Sequence, residues 1–399
     1  MRPLEGTIIV EIGAWIAGPS ACALLCDWGA EVWKVEPPRG DPFRAVISSQ
    51  GYSSEIPNAP FTVDNRGKRS VVLDLREGHG RAALDQMLAK SDVLLTNMRM
   101  RSLEKLGLSC DALLARHPHL ICSVISGYGS VGPDRNRPGY DIGAFAGRTG
   151  ILHQMRAGDV PPTALPLGFG DHVVALATAA GVLAAMVERG RTGRGQLVES
   201  SLMRTGAFAL GWELAVQLML GKVPGATQRI ATKTPLFNCY QSADGQWFWL
   251  LGVEADRHFP ALVAALERPD LLSDSRFATS RDRRRNTSEF VEVLDAAFAG
   301  QPMDVWVQRF DEHRVWWEPV HSPAQVVEDE QAVAAACFVD IEGTEFQTVS
   351  GPIDFAGEQA KSVAAAPELG ADTESVLRAA GCTEDLVQAV LRRAVPGQR

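Results

Sequence analysis

The stretch Gly168-Phe169-Gly170-Asp171 precedes a run of small and aliphatic residues from His172 to Met186, and it is the part of the chain best suited to chemistry. The run reads as a helix with no polar face, which should be buried. Asp171 falls in its first turn, where free N–H groups and the positive end of the dipole favour an ionised carboxylate. With two glycines giving close access, such a carboxylate is a candidate nucleophile. The same pattern also fits a helix N-cap, and a cap carboxylate can face a cleft as well.

Basic residues form the second group: Lys68, Arg69, Arg76, Arg99, Arg101, Lys105, Arg135 and Arg137. Several fall at the ends of expected strands, where a parallel sheet binds its ligands, and together they would suit a phosphate-rich ligand such as a nucleotide or coenzyme A. The alternative is a solvated surface. His172, one residue on from Asp171, points to another helix face, and no Gly-x-Ser-x-Gly elbow accompanies it. His117 and His119 have no carboxylate partner pattern, so no metal site is expected. The seven cysteines include no Cys-x-x-Cys pair, which points to a reducing, cytoplasmic setting.

These residues need a scaffold. Strands are expected at 7–12, 31–36, 70–75, 92–96, 120–125 and 196–200. Helices are expected from Ser20, as a cap, to Trp28, over 80–90, over the Asp171 run and over 202–220. The alternation predicts an α/β layered domain with a mostly parallel sheet. Gly13 to Gly18 lacks the GxGxxG spacing of a dinucleotide site. From Thr234 the character changes. Asp244-Gly245 marks a hairpin between 237–241 and 247–251, with helices at 257–267, 287–298 and 303–311, which reads as a smaller α+β domain. A further helix starts at Ser322, short strands follow Phe338, and 384–394 is a last helix. The 399 residues carry a net charge of −9, which argues against a nucleic-acid partner. The N-terminus lacks a signal peptide pattern, and the Val173–Val187 run is too short and Ala-rich for a good membrane span.

Several stretches in order are familiar: Ala17-Gly18-Pro19, Trp28-Gly29-Ala30 through Glu36-Pro37, Asn65-Arg66-Gly67-Lys68-Arg69, Asn97-Met98-Arg99, Gly127-Tyr128-Gly129, Arg137-Pro138-Gly139-Tyr140-Asp141, Gly170-Asp171 and Thr192-Gly193-Arg194-Gly195-Gln196. Together the chain resembles the class III coenzyme A transferases, the CaiB/BaiF family that includes formyl-CoA and carnitine CoA-transferases. The likeness is dense over residues 4 to 205.

The resemblance implies a Rossmann-like large domain from residues 1–205 and 326–399, a linker over 206–224, a small domain over 225–325, and two subunits interlocked as a homodimer. It places Asp171 as the catalytic aspartate. Ile16 and Ala17 would line the CoA channel. Leu73, Leu75 and Arg76 would flank the adenine and its phosphates, with Asn97, Arg99 and Lys105 on the same side. Tyr140 and Asp141 would lie near the thioester, and Arg39 and Arg137 are further candidates. Coenzyme A and acyl-CoA enter as substrates, with no tightly bound cofactor. Asp171 would attack an acyl-CoA thioester to give a mixed anhydride, then an aspartyl-CoA thioester that an acceptor carboxylate takes over. Its carboxylate, ionised at neutral pH, would need no activation.

Two departures bear on substrate. Ile16 stands where some transferases have Gln, beside Trp15, and Leu250-Leu251-Gly252-Val253-Glu254 replaces the glycine-rich loop of oxalate-using relatives. A less polar, bulkier acyl group than oxalate is expected; Trp15, Trp247, Trp249, Trp316 and Trp317 are candidates to shape an aromatic or branched-acyl pocket. The alternatives are a 2-methylacyl-CoA racemase, which carries His where this chain has Tyr140, and a CoA-binding protein without catalysis. A phenol is a poor base at neutral pH.

Overall fold

The computed structural model describes residues 2–46, 58–223, 225, 227–357 and 361–394. It divides into two compact units. One comprises Met1–His153, Pro162–Val223 and Val333–Arg399; the other comprises Gln154–Pro161 and Pro224–Ala332.

The first unit is built on six parallel strands: β1 (Ile8–Ile12), β2 (Glu31–Glu36), β3 (Arg69–Val72), β4 (Val93–Thr96), β5 (Ile121–Ser126) and β6 (Leu197–Ser201). Their order is β3-β2-β1-β4-β5-β6. This is the doubly wound order that reverses between β1 and β4, and the carboxyl ends at that point form the natural ligand edge. Ile9 pairs with Val32 on one side and Val93 on the other.

Both faces of the sheet are covered, so most strand residues are apolar. Ile9, Val32, Val93, Leu95, Ile121 and Ile125 face α1 (Ala17–Asp27) and the Asp171 helix. Val10, Trp33, Val35, Val71, Leu94 and Val124 face the opposite layer. That layer holds α2's successors in the chain, so the order matters: α2 (Ala59–Asn65) lies against α1, whereas α3 (Gly78–Lys90), α4 (Met100–Leu106) and α5 (Cys110–Arg116) contribute to the far face with the C-terminal helices Thr373–Ala379 and Glu384–Ala394.

Several elements start elsewhere than expected. α1 begins at Ala17, not Ser20, because Pro19 fits a first turn that needs no N–H from it. The Asp171 helix, α6 (Phe169–Thr192), is 24 residues long. By length and composition it is long and apolar enough to cross a membrane, contrary to the expected short run, yet it packs on α1, β5 and β6. The expectation of full burial holds for one face only. Val174, Ala175, Thr178, Ala179, Val182 and Ala185 are buried, while Leu176, Ala180, Ala184 and Val187 are exposed at helical spacing. Residues 202–220 form two helices, α7 (Leu202–Ala209) and α8 (Gly211–Leu220), not one.

The second unit carries an antiparallel sheet of β7 (Phe237–Gln241), β8 (Trp247–Leu251) and β9 (Trp317–Pro319). The Asp244-Gly245 turn sets the hairpin register, Gln241 opposite Trp247. Tyr240, Phe248, Phe290, Phe298, Trp306 and Phe310 make its core with the helices Ala255–Ala265, Thr287–Phe298 and Met303–His313. Back in the first unit, β10 (Phe338–Ile341), β11 (Gln347–Val349) and β12 (Ser362–Val363) form a small separate sheet.

Candidate active site

Asp171 is the third residue of α6, after the N-cap Gly168, whose φ of 74° suits glycine. The first turn is held from two sides. Asp141 Oδ2 accepts the backbone N–H of Gly170 at 3.2 Å, and its Oδ1 accepts that of Ile142 at 2.7 Å. From the β1–α1 turn, Ile16 meets Gly168 so closely that a Cβ there would sit 3.0 Å from Ile16 Cδ1. Gly170 packs on Phe145, whose ring would lie 2.6 Å from an added Cβ. Glycine is therefore a matter of space at both positions, and of backbone freedom as well at Gly168.

Asp171 is partly buried, and its carboxyl is pushed up to about 7. Burial is the largest cause, the Asp141 charge adds to it, His172 opposes it, and Asp64 raises it further. This differs from the expectation of a fully ionised carboxylate, because burial and the Asp141 and Asp64 charges disfavour the ionised form. The group is poised near neutrality, as a catalytic carboxylate can be.

His172 turns away from Asp171, as expected of the next helical position. Its Nε2 lies 3.1 Å from Asp64 Oδ1 on α2, which raises its pKa and ties α6 to α2. Asp64 is buried, and no sequence pattern marked it.

The β1–α1 turn rests on a buried charge network. Lys34 Nζ donates to Glu11 Oε1 at 2.9 Å, to Asp41 Oδ2 at 3.0 Å and to the Gly13 carbonyl at 3.3 Å. Lys68 lies 2.6 Å from Glu11 Oε2. These side chains are almost wholly excluded from solvent. Burial alone would neutralise them, but the two cations hold the Glu11 carboxyl below its ordinary value, and the carboxylates raise Lys34. Lys68 is thus committed to the interior, which corrects its place among the phosphate-binding candidates. Glu11 and Lys34, charged residues inside two β-branched runs, were the signal available in the sequence.

The remaining candidates follow the carboxyl ends of the strands. Ala17 is buried as the first residue of α1. Asn97, after β4, accepts the Ala14 N–H at 3.0 Å and donates to the Ala14 carbonyl at 2.7 Å, so it clamps the β1–α1 turn. Leu73 is buried in the core just after β3. Leu75 is half-buried, and Arg76 is exposed with its guanidinium on Asp74, 2.6 Å away. Pro38, Val72, Asp74, His79 and Val390 line an indentation beside this segment. Arg39, Arg99 and Lys105 are exposed. Arg137 lies over the Tyr128 ring and near Asp134, on the loop that ends in Tyr140. Ile16, Tyr140, Asp141 and Asp171 thus gather at the start of α6, while Leu75 and Arg76 follow β3 and Arg99 and Lys105 follow β4, on opposite sides of β1 in the sheet. β3 and β4 are three strand spacings apart, about 14 Å.

A six-stranded doubly wound sheet with a carboxylate at a helix start, flanked by two glycines, defines the class. Residues 4–373 match the model of CoA-transferase family III, and the chain belongs to that family. It is 30% identical to (R)-2-hydroxy-4-methylpentanoate CoA-transferase of Clostridioides difficile, over 96% of this chain and 97% of that protein. It is 31% identical to cinnamoyl-CoA:phenyllactate CoA-transferase of Clostridium sporogenes, over 96% and 95%. A crystal structure of a CAIB/BAIF family protein from Brucella suis superposes with a TM-score of 0.84 at 28% identity, covering 95% of this chain and 99% of that one. The protein is a CoA-transferase.

Proposed function

We propose that Asp171 is the nucleophile of a double-displacement CoA transfer between an acyl-CoA and a branched or aromatic carboxylic acid. The single observation carrying this is the position of Asp171: a partly buried carboxylate at a glycine-flanked helix start, poised near neutral pH. The carboxylate attacks the donor thioester carbonyl, expelling CoA thiolate and leaving an acyl-aspartyl anhydride. The thiolate attacks the aspartyl carbonyl and releases the donor acid, which leaves an aspartyl-CoA thioester. The acceptor carboxylate attacks that thioester, CoA thiolate departs, and a second anhydride forms. Thiolate attack on the acceptor's carbonyl then yields the new acyl-CoA and frees Asp171.

Asp141 holds the α6 turn through Gly170 and keeps the carboxyl near neutrality. Leu75, Arg76, Arg99 and Lys105 are read as the CoA side of the site, the basic ones meeting phosphates. Ile16 and Trp15 make the acyl side apolar. Two of the relatives named above act, by name, on a branched and an aromatic acid, in keeping with that lining.

The active unit is read as an interlocked homodimer. α8 buries none of its residues within the chain, and Phe208 and Trp212 are 87% and 82% exposed. With the exposed side of α6, these residues offer apolar surface of the kind that marks an interaction site. A second copy covering it would also help keep water from the anhydrides. The seven free cysteines accord with a reducing, cytoplasmic setting.

The test is a transfer assay pairing isovaleryl-, cinnamoyl-, succinyl- and formyl-CoA with their free acids and with oxalate, read by chromatography of the acyl-CoAs. Transfer among the branched and aromatic pairs, lost in Asp171→Ala, is expected. Formyl-CoA and oxalate as the best pair would overturn the substrate class, and α-proton exchange without transfer would indicate a racemase.

A further inference from the structure

Trp15 has a φ of 67°, the left-handed region that a bulky residue rarely occupies. The surrounding bonds impose it. The Trp15 N–H donates to Asp41 Oδ1 at 3.1 Å, and Asp41 is fixed in turn by Lys34 and by the Phe43 N–H at 3.0 Å. Asn97 clamps Ala14 from both sides, and Lys34 reaches the Gly13 carbonyl. Three successive residues are thus pinned by polar side chains, of which Lys34 and Asp41 are buried, and the strain persists because its surroundings over-determine it.

The consequence is where the indole goes. It stands edge-on to Tyr140, with ring centroids 6.4 Å apart, and 6.2 Å from Phe43. Its neighbour Ile16 abuts Gly168, and Tyr140 immediately precedes Asp141, which binds Gly170. The Trp15–Tyr140 pair therefore bridges the two loops that flank Asp171. Both rings keep free surface, 42% for Trp15 and 66% for Tyr140. A core tryptophan would have no need of a strained backbone that leaves it so open.

We propose that Trp15 is the specificity-determining wall of the acyl site, its indole selecting flat aromatic or branched acyl groups, with Asp41 as the positioning residue that holds it there. The inference rests on the reading of Asp171 as the acyl-carrying nucleophile. An aromatic wall rewards apolar area that a succinyl or acetyl group lacks, and differences of that kind are worth about 10- to 100-fold in kcat/KM.

The experiment measures kcat/KM for cinnamoyl-CoA and isovaleryl-CoA against succinyl-CoA and acetyl-CoA in the parent homodimer, Trp15→Gly, Trp15→Asn and Trp15→Phe. Gly and Asn both tolerate the left-handed backbone, so either can report if the other folds poorly. The ratio of bulky to small donors is expected to fall about 10-fold or more in Trp15→Gly and Trp15→Asn, through KM, and to stay within about threefold of the parent in Trp15→Phe. Asp41→Ala, which removes the acceptor of the Trp15 N–H, should lower the same ratio. An unchanged ratio in Gly and Asn overturns the proposal, as does an equal fall in Phe, which would mark a role in the loop alone. Intact mass of the parent separates the two levels. A CoA adduct on Asp171 with unaltered ratios sinks only the Trp15 wall, whereas no adduct with any donor sinks the nucleophile reading and this inference with it.

Discussion

Asp141 Oδ2 lies 3.2 Å from the backbone nitrogen of Gly170, one residue before the Asp171 carboxylate whose charge it opposes. The same side chain thus fixes the helix start and raises the pKa of the group carried there. A carboxyl at about 7 is only partly ionised in neutral solution.

The pH profile should show this. Attack needs the ionised form, so kcat/KM is expected to rise about tenfold per pH unit below 7 and to level off above it. Asp141→Asn keeps an oxygen for the Gly170 N–H but removes the neighbouring charge. Its acid limb should move to lower pH, while burial still holds the midpoint above that of an ordinary aspartate. A limb that stays in place would assign the shift to burial and Asp64, not to Asp141.

Stability should vary with pH in the opposite sense. A carboxyl raised on folding binds its proton more tightly in the native state, so its contribution is full below about pH 4 and lost as pH rises through about 7. A rise from 3.8 to about 7 corresponds to about 4 kcal/mol at most. Relative to Asp171→Asn, the parent should therefore lose stability between pH 4 and 7 and run parallel above it, in urea titrations across that range.

Lys34→Met is expected to destabilise the chain by about 3–5 kcal/mol, because Glu11 and Asp41 would lose a cation held 2.9 and 3.0 Å away in the interior. The urea midpoint should fall accordingly. A loss below about 1 kcal/mol, the range of surface pairs, would contradict the network's burial.

Gly170→Ala should be costly in two ways. The new methyl meets the buried Phe145 ring, which overpacks the site by about 1–3 kcal/mol. The α6 start must then shift, so transfer should fall more than stability implies, measured as kcat at a temperature where the variant is fully folded.

Much of this was legible in the sequence because it is local. β-branched runs gave the parallel strands of the main sheet, and the Asp244-Gly245 turn gave the hairpin. The Gly168–Asp171 stretch marked the helix start. What escaped depends on contacts between distant residues. Asp64 meets His172 from another helix, and Asp41 reaches Trp15 through a network that no periodicity announces. Lys68 reads as a candidate for phosphate because its buried partner, Glu11, lies far away in sequence, on β1. α1 starts at Ala17, before the expected Ser20, since Pro19 fits inside its first turn. Short helices such as α2, α4 and α5 were passed over, each only seven residues long, too short for a periodic pattern to speak.

The most direct measurement is the intact mass of the protein seconds after mixing with cinnamoyl-CoA or isovaleryl-CoA, followed by peptide mapping. A CoA-sized adduct on the peptide holding Asp171, discharged by added free acid and missing in Asp171→Asn, is the expected result. Transfer that proceeds with no adduct, or an adduct on another residue that persists in Asp171→Asn, would contradict the assignment of Asp171 as nucleophile.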